Sequence, residues 1–196
     1  FGRKAAMIPD TGDPFRVELE GGMKMTVLGP SSAGLRKLRK EWESVMKEAH
    51  MTPGDVDAAL KKLKEDRRFR PGWLGKLDIE KVADADFKED NSPANGSSII
   101  LLAEYENKKV LFAGDAFPGN ITGGLKRLPV YDGRRTWLDA FKIPHHGSKN
   151  NNSNELYKAV DCPRFLVSTN GDKFGHPDDE GIARILYSKR RSRDAV

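Results

Sequence analysis

Cysteine is almost missing from this 196-residue chain. Cys162 is the only one, which excludes an intrachain disulfide framework and any cysteine-rich zinc site. A lone thiol fits a reducing compartment, and a cytoplasmic location is the expectation. Histidine is scarce as well. With four imidazoles, at His50, His145, His146 and His176, the chain can offer few metal ligands unaided. Long apolar runs are missing too: none approaches the roughly 18 to 20 residues of a membrane span, and no N-terminal stretch has the basic, apolar and small-residue order of a signal peptide. The expectation is a soluble protein with no membrane span. A strong charge of one sign is also missing. The 34 Lys and Arg exceed the 29 Asp and Glu by 34 − 29 = 5, compatible with a polyanionic partner but well short of a nucleic-acid-binding stripe. The two basic runs, Arg36-Lys37 with Arg39-Lys40 and Lys189-Arg190-Arg191 with Arg193, sit on helical patterns and read as solvated helix faces.

What is present begins as β structure. FRVELEGGMKMTVLGP alternates apolar and polar residues around Gly21-Gly22, the signal of a hairpin whose second strand runs from Lys24 to Leu28 and ends at Gly29-Pro30. Ser31-Ser32 then cap a helix on which Leu35, Leu38, Trp42, Val45 and Met46 recur at three- and four-residue spacing, one apolar stripe on an otherwise charged cylinder. His50 closes that helix and reads as structural, a cation near a helix C-terminus. Residues 54–90 hold a short amphipathic helix and then a basic, Pro- and Gly-marked stretch, which together look like a surface insertion or mobile connection.

From Ser97 onward the pattern changes. Ile99 to Tyr105 and Val110 to Ala113 are dense strand signals joined by a turn at Glu106-Asn107-Lys108, and their nearly continuous apolar character predicts a sheet covered on both faces. Further strands are expected at Phe141 to Ile143 and Arg164 to Ser168. Ser153 is placed to cap the helix NELYKAV, and Pro177 to stand in the first turn of the helix DDEGIARILYSK. Strands alternating with helices predict an α/β layered fold in one domain, 1–196.

The residues that carry chemistry collect after strand ends. Gly114-Asp115 follows VLFA, Pro144-His145-His146-Gly147-Ser148 follows FKI, and His176 lies in the loop after FLVS. That is the edge at which α/β sheets place their sites, and a carboxylate with imidazoles on rigid strands is a ligand set for Zn, Mn or Fe. Adjacent residues in extended backbone point to opposite sides, so one of His145 and His146 is expected to coordinate. The other is left as a supporting group or proton donor. Asp115, with two oxygens, could bridge two metals about 3.5 to 4 Å apart.

In order and wording these segments resemble the metallo-β-lactamase superfamily, and within it the metallo-hydrolase domain joined to the bacterial DNA-uptake (competence) channel and its stand-alone relatives. The likeness rests on Asn95-Gly96-Ser97-Ser98, LFAGD, PHHGS and VSTNGDKFGHP, and spans Asp90 to about Leu186. It implies an αββα sandwich with one or two metal ions, zinc first and manganese or iron otherwise. Asp115 matches the bridging aspartate. The resemblance favours His146 as the metal ligand, with His145 the adjacent catalytic or phosphate-contacting group. His176 matches a position near the pocket, as a site-lining or helix-capping residue. Asn95 and Ser97 stand at the pocket wall or in a plain turn, and Ser148 belongs to the same pocket.

One departure is large. The family's His-x-His-x-Asp-His motif, which supplies up to four ligands, does not occur here; the only earlier histidine is His50. The expectation is therefore a C-terminal portion of the sandwich, its site completed by an upstream segment or a second chain. The function expected is a metal-dependent hydrolase that attacks a phosphoester or phosphodiester with metal-bound hydroxide, in a nucleic acid or nucleotide. The alternative is a non-catalytic binding module of the same fold with a degenerate metal site.

Overall fold

The computed structural model describes residues 9–48, 78–129, 131–171 and 174–193. His50, the helix expected after residue 54, and the side chains of Met46 and of residues 189–193 lie outside the described set.

Two strands open the described chain, β1 (Phe15–Glu18) and β2 (Lys24–Gly29), paired antiparallel through a turn with Gly21 and Gly22 at φ 90° and 86°. Only glycine adopts such angles without steric penalty, which is why the hairpin turns there. Helix α1 (Ser32–Glu48) follows, with the Ser31 hydroxyl accepting from the Gly34 N–H at 3.1 Å. The short helices α2 (Ile79–Ala83) and α3 (Pro93–Gly96) lead into strands β3 (Ile100–Tyr105) and β4 (Lys108–Phe112). After helix α4 (Pro118–Lys126) come β5 (Thr136–Trp137) and β6 (Ala140–Lys142), then a tight 3₁₀ turn at Pro144–Gly147. Helix α5 (Asn154–Ala159), β7 (Val160–Asp161), β8 (Phe165–Leu166) and helix α6 (Asp179–Arg193) complete the order.

The main sheet has six strands in the order β1-β2-β3-β4-β6-β8. Its first four strands are antiparallel neighbours, whereas β4, β6 and β8 are parallel. Parallel neighbours need crossovers, and α4 and α5 lie in the connections that supply them. A separate parallel pair joins β5 to β7. The class is mixed α/β, as the alternation of strands and helices predicts.

One row of paired residues, Leu102, Leu111, Phe141 and Phe165, faces the core. Phe141, Phe165 and Tyr157 pack there with ring centroids 5.6 to 6.5 Å apart, against Ile121 and Leu125 of α4 and Ile185 of α6. The next row over corrects the expectation of a sheet covered on both faces. Phe112 of β4 is 43% exposed and Leu166 of β8 45%, so among the described residues this side is open at a strand that reads as nearly continuously apolar. The stripe on α1 is likewise uncovered at Trp42 and Val45, both more than half exposed.

Three further differences have local causes. Pro177 lies before α6 rather than in its first turn; the helix starts at Asp179, with the Asp178 carbonyl accepting from Ile182. Helix α4 forms from PGNITGGLK, a segment too rich in glycine to read as helical. There Gly124 sits against β2 so closely that a Cβ would stand 2.5 Å from the Leu28 carbonyl oxygen. Finally, the described residues 78–90 are anchored to α6. The fully buried Arg184 of α6 donates to the carbonyls of Ala83 and Ala85 and stacks its guanidinium 5.3 Å from the Phe87 ring.

Candidate functional site

The parallel run of β4, β6 and β8 puts three strand C-termini on one edge, and antiparallel β3 begins at that same edge. Asp115 follows β4, His145 and His146 follow β6, and Ser168 follows β8. The His145 N–H donates to the Gly114 carbonyl at 2.9 Å, and the Asp115 N–H donates to the Ser98 hydroxyl at 3.1 Å. These bonds tie the ends of β3, β4 and β6 together, and the His146 contact to the Ser168 carbonyl adds that of β8.

The two histidines occupy left-handed backbone, with φ of 44° for His145 and 55° for His146. Each such non-glycine residue costs roughly 1 to 3 kcal/mol and persists only where the surroundings fix it. The expectation of opposite-facing side chains assumed extended backbone, and the chain is not extended here. The rings stand edge-on with centroids 6.1 Å apart and take separate partners. Buried groups hold the turn: Asn152 donates to the carbonyls of Pro144 at 3.0 Å and Ser148 at 2.7 Å. Gly147, at φ 90°, lies against Pro177, whose Cβ would be 2.6 Å from an added methyl.

His146 divides its nitrogens between two jobs. Nδ1 is 2.5 Å from the Ser168 carbonyl, which can only accept, so Nδ1 carries the proton and Nε2 of the neutral ring is bare. That Nε2 lies 3.8 Å from Oδ1 of Asp115, and both side chains are partly open to solvent. Two donors on one tetrahedral ion at about 2.0 to 2.2 Å stand roughly 3.4 Å apart, so this pair fits two corners of such a site. It does not fit a complete one. Among the described residues no group of three or more His, Cys, Asp or Glu is placed to hold a metal ion.

His145 lies deeper. Its Nδ1 is 2.9 Å from Oδ1 of Asn151, 3.3 Å from Nδ2 of Asn95 and 3.6 Å from Oδ2 of Asp90. Burial pushes the Asp90 carboxyl up, but hydrogen bonds from Asn95, the Ser92 N–H and Asn151, with the charge of His145, outweigh it and hold Asp90 below the ordinary value. Lys142 is drawn in beside Asp115, its ammonium donating to the Gly114 carbonyl at 3.3 Å. Burial lowers its pKa, and the Asp115 carboxylate partly offsets that.

The remaining expected residues divide. Asn95 joins the His145 cluster, donating to Asp90 Oδ2 at 2.6 Å. His176 packs its ring 5.3 Å from that of His145 and pairs at 3.4 Å with Asp178. Ser97 stands apart, its buried hydroxyl spent on the carbonyls of Gly34 and Pro93. Ser148 is buried, with its N–H on the His145 carbonyl. Asp90, Asn151, Ser98 and Lys142 were not anticipated. Ser98 lies in the segment Asn95-Gly96-Ser97-Ser98 that carries the resemblance, and Asn151 is the middle of three consecutive asparagines just after the His-His-Gly-Ser loop.

No protein-family model, curated protein or solved structure matches this chain.

Proposed function

We propose that the strand-end cluster is part of a metal-dependent hydrolytic centre acting on phosphoester or phosphodiester bonds, in a nucleotide or nucleic acid. The observation that carries this reading is the facing pair of Asp115 Oδ1 and His146 Nε2, with the histidine already oriented through its other nitrogen by a backbone carbonyl. Fixing a ligand ring in this way is how metal-binding histidines are prepared. Asp115 and His146 would hold the ion, zinc before manganese or iron, with further donors from outside the described residues. When bound, such an ion polarises an ester oxygen and makes water more acidic.

The chain's own residues supply the rest. His145 stands beside the pair and can move a proton between water and a leaving group. Lys142 places a cation next to Asp115, which favours an anionic ester, as does the net charge of +5. The ester type otherwise leans on the resemblance to metallo-β-lactamase-like hydrolases of the competence type. The expected sandwich fold is part of the same proposal.

A second reading is a non-catalytic binding module with a degenerate site, favoured by the presence of only two suitably placed donors among the described residues. Metal analysis and hydrolysis of bis(p-nitrophenyl) phosphate, with and without Asp115→Ala, separate the two. The hydrolase reading expects metal content and rate to fall together; unchanged values in the variant would sink it.

A further inference from the structure

His145 is surrounded by groups whose hydrogen-bonding options are limited enough to fix its proton. Asn151 is fully buried, and its Nδ2 meets only acceptors: Oδ2 of Asp90 at 3.2 Å, the Asp115 carbonyl at 3.1 Å and the Ala116 carbonyl at 3.4 Å. Turning the amide over would aim its oxygen at three other oxygens. Its Oδ1 therefore faces His145 Nδ1, at 2.9 Å, and an oxygen that can only accept requires a proton on that nitrogen. The Asn95 Nδ2 gives one hydrogen to Asp90 Oδ2 at 2.6 Å and its second lies along the longer 3.3 Å contact to the ring, but accepting it would leave a bare Nδ1 facing the Asn151 oxygen at 2.9 Å, lone pair against lone pair. The Asp90 carboxylate, 3.6 Å from Nδ1, adds attraction in the same sense.

We propose that Asn151, oriented by Asp90, is a positioning residue that holds His145 in the Nδ1–H tautomer and leaves its Nε2 bare. The consequence for catalysis rests on the hydrolase reading above; the tautomer does not. In that reaction the bare Nε2 takes a proton from the attacking water and afterwards returns it to the leaving oxygen, so the ring ends as it began. Asp90 fixes the amide that fixes the ring, much as a buried carboxylate orients a catalytic imidazole elsewhere. The left-handed backbone at His145 and the N–H to Gly114 hold the ring's origin while the amide holds its tip.

The test is long-range ¹H–¹⁵N spectroscopy of the imidazoles at a pH where they are neutral, with His145 assigned from a His145→Gln variant. The wild-type protein is expected to show the Nδ1–H pattern for His145. Asp90→Asn and Asn151→Ala should each move it toward Nε2–H, while His146, held by Ser168, keeps its own pattern. In the phosphodiesterase assay both variants should lose about 10- to 100-fold in kcat with KM little changed. An Nε2–H pattern in the wild type overturns the proposal even if neither variant folds, and so does a His145 spectrum that both folded variants leave unchanged. A wild-type protein with the Nδ1–H pattern and no hydrolysis overturns the hydrolase reading and leaves the positioning intact.

Discussion

Nε2 of His146 lies 3.8 Å from Oδ1 of Asp115, across the gap between the ends of β6 and β4. Because two donors on one ion act as a unit, removing either should remove nearly all that both contribute. Zinc retention measured by equilibrium dialysis is expected to weaken at least about 100-fold in Asp115→Ala and in His146→Ala. The double variant should be scarcely worse than either single one; additive losses would mean that the two do not share an ion.

The pH dependence of stability should single out Asp90. Its folded pKa is held below the ordinary value by Asn95, Ser92 and Asn151 against the opposing effect of burial. Folding therefore favours its ionised form. That contribution is fully present above the unfolded value of about 3.9 and is lost as pH falls through the lower folded value. Urea unfolding of the wild type and Asp90→Asn should show the variant less stable at pH 7, with the gap closing below about pH 4. Parallel curves across that range would contradict the assignment.

How far the site could be read from sequence follows from the range of the contacts involved. Gly114-Asp115 and His145-His146 each follow an apolar run, and Ser153 caps α5 by accepting from Leu156 three residues on; such signals are local and legible. Asp90 is not. It meets His145 from 55 positions away, out of a polar stretch with no periodicity to mark it, so nothing nearby distinguishes it from a solvated carboxylate. The open side of the sheet was misread for a related reason. Continuous apolar residues on β3 and β4 say that both faces are apolar, but not what lies against each.

Arg184 should prove a structural keystone rather than a binding residue. The residue is 1% exposed, and its guanidinium donates to the carbonyls of Lys149 and Asn152 at 2.8 Å each, of Ala85 at 3.1 Å and of Ala83 at 3.4 Å. Arg184→Ala takes a donor from the carbonyls of the buried residues Asn152 and Ala83, the latter keeping the Asn154 amide, at about 1 to 3 kcal/mol for a carbonyl left unpartnered where water cannot reach, and it leaves a cavity where the side chain packed. The expected loss is about 3 kcal/mol or more, a fall in Tm of roughly 6 to 12 °C for a chain of this size. A melting temperature within about 2 °C of the wild type would show that the carbonyls find other donors.

Gly147 offers a test of what holds the histidine turn. Its φ of 90° and an added Cβ only 2.6 Å from Pro177 Cβ give two separate reasons why Gly147→Ala should be unfavourable. The backbone strain belongs to residue 147 alone, whereas the clash needs Pro177 as well. A double-mutant cycle with Pro177→Gly separates them, since removing the proline Cβ relieves the clash and leaves the strain. Chemical denaturation should show Gly147→Ala destabilised by about 2 to 4 kcal/mol in the wild-type background, combining strain and overpacking. In the Pro177→Gly background the loss should fall to about 1 to 3 kcal/mol, the strain alone. Equal losses in both backgrounds would mean that Pro177 moves aside, and that the turn depends on backbone conformation without support from the segment before α6.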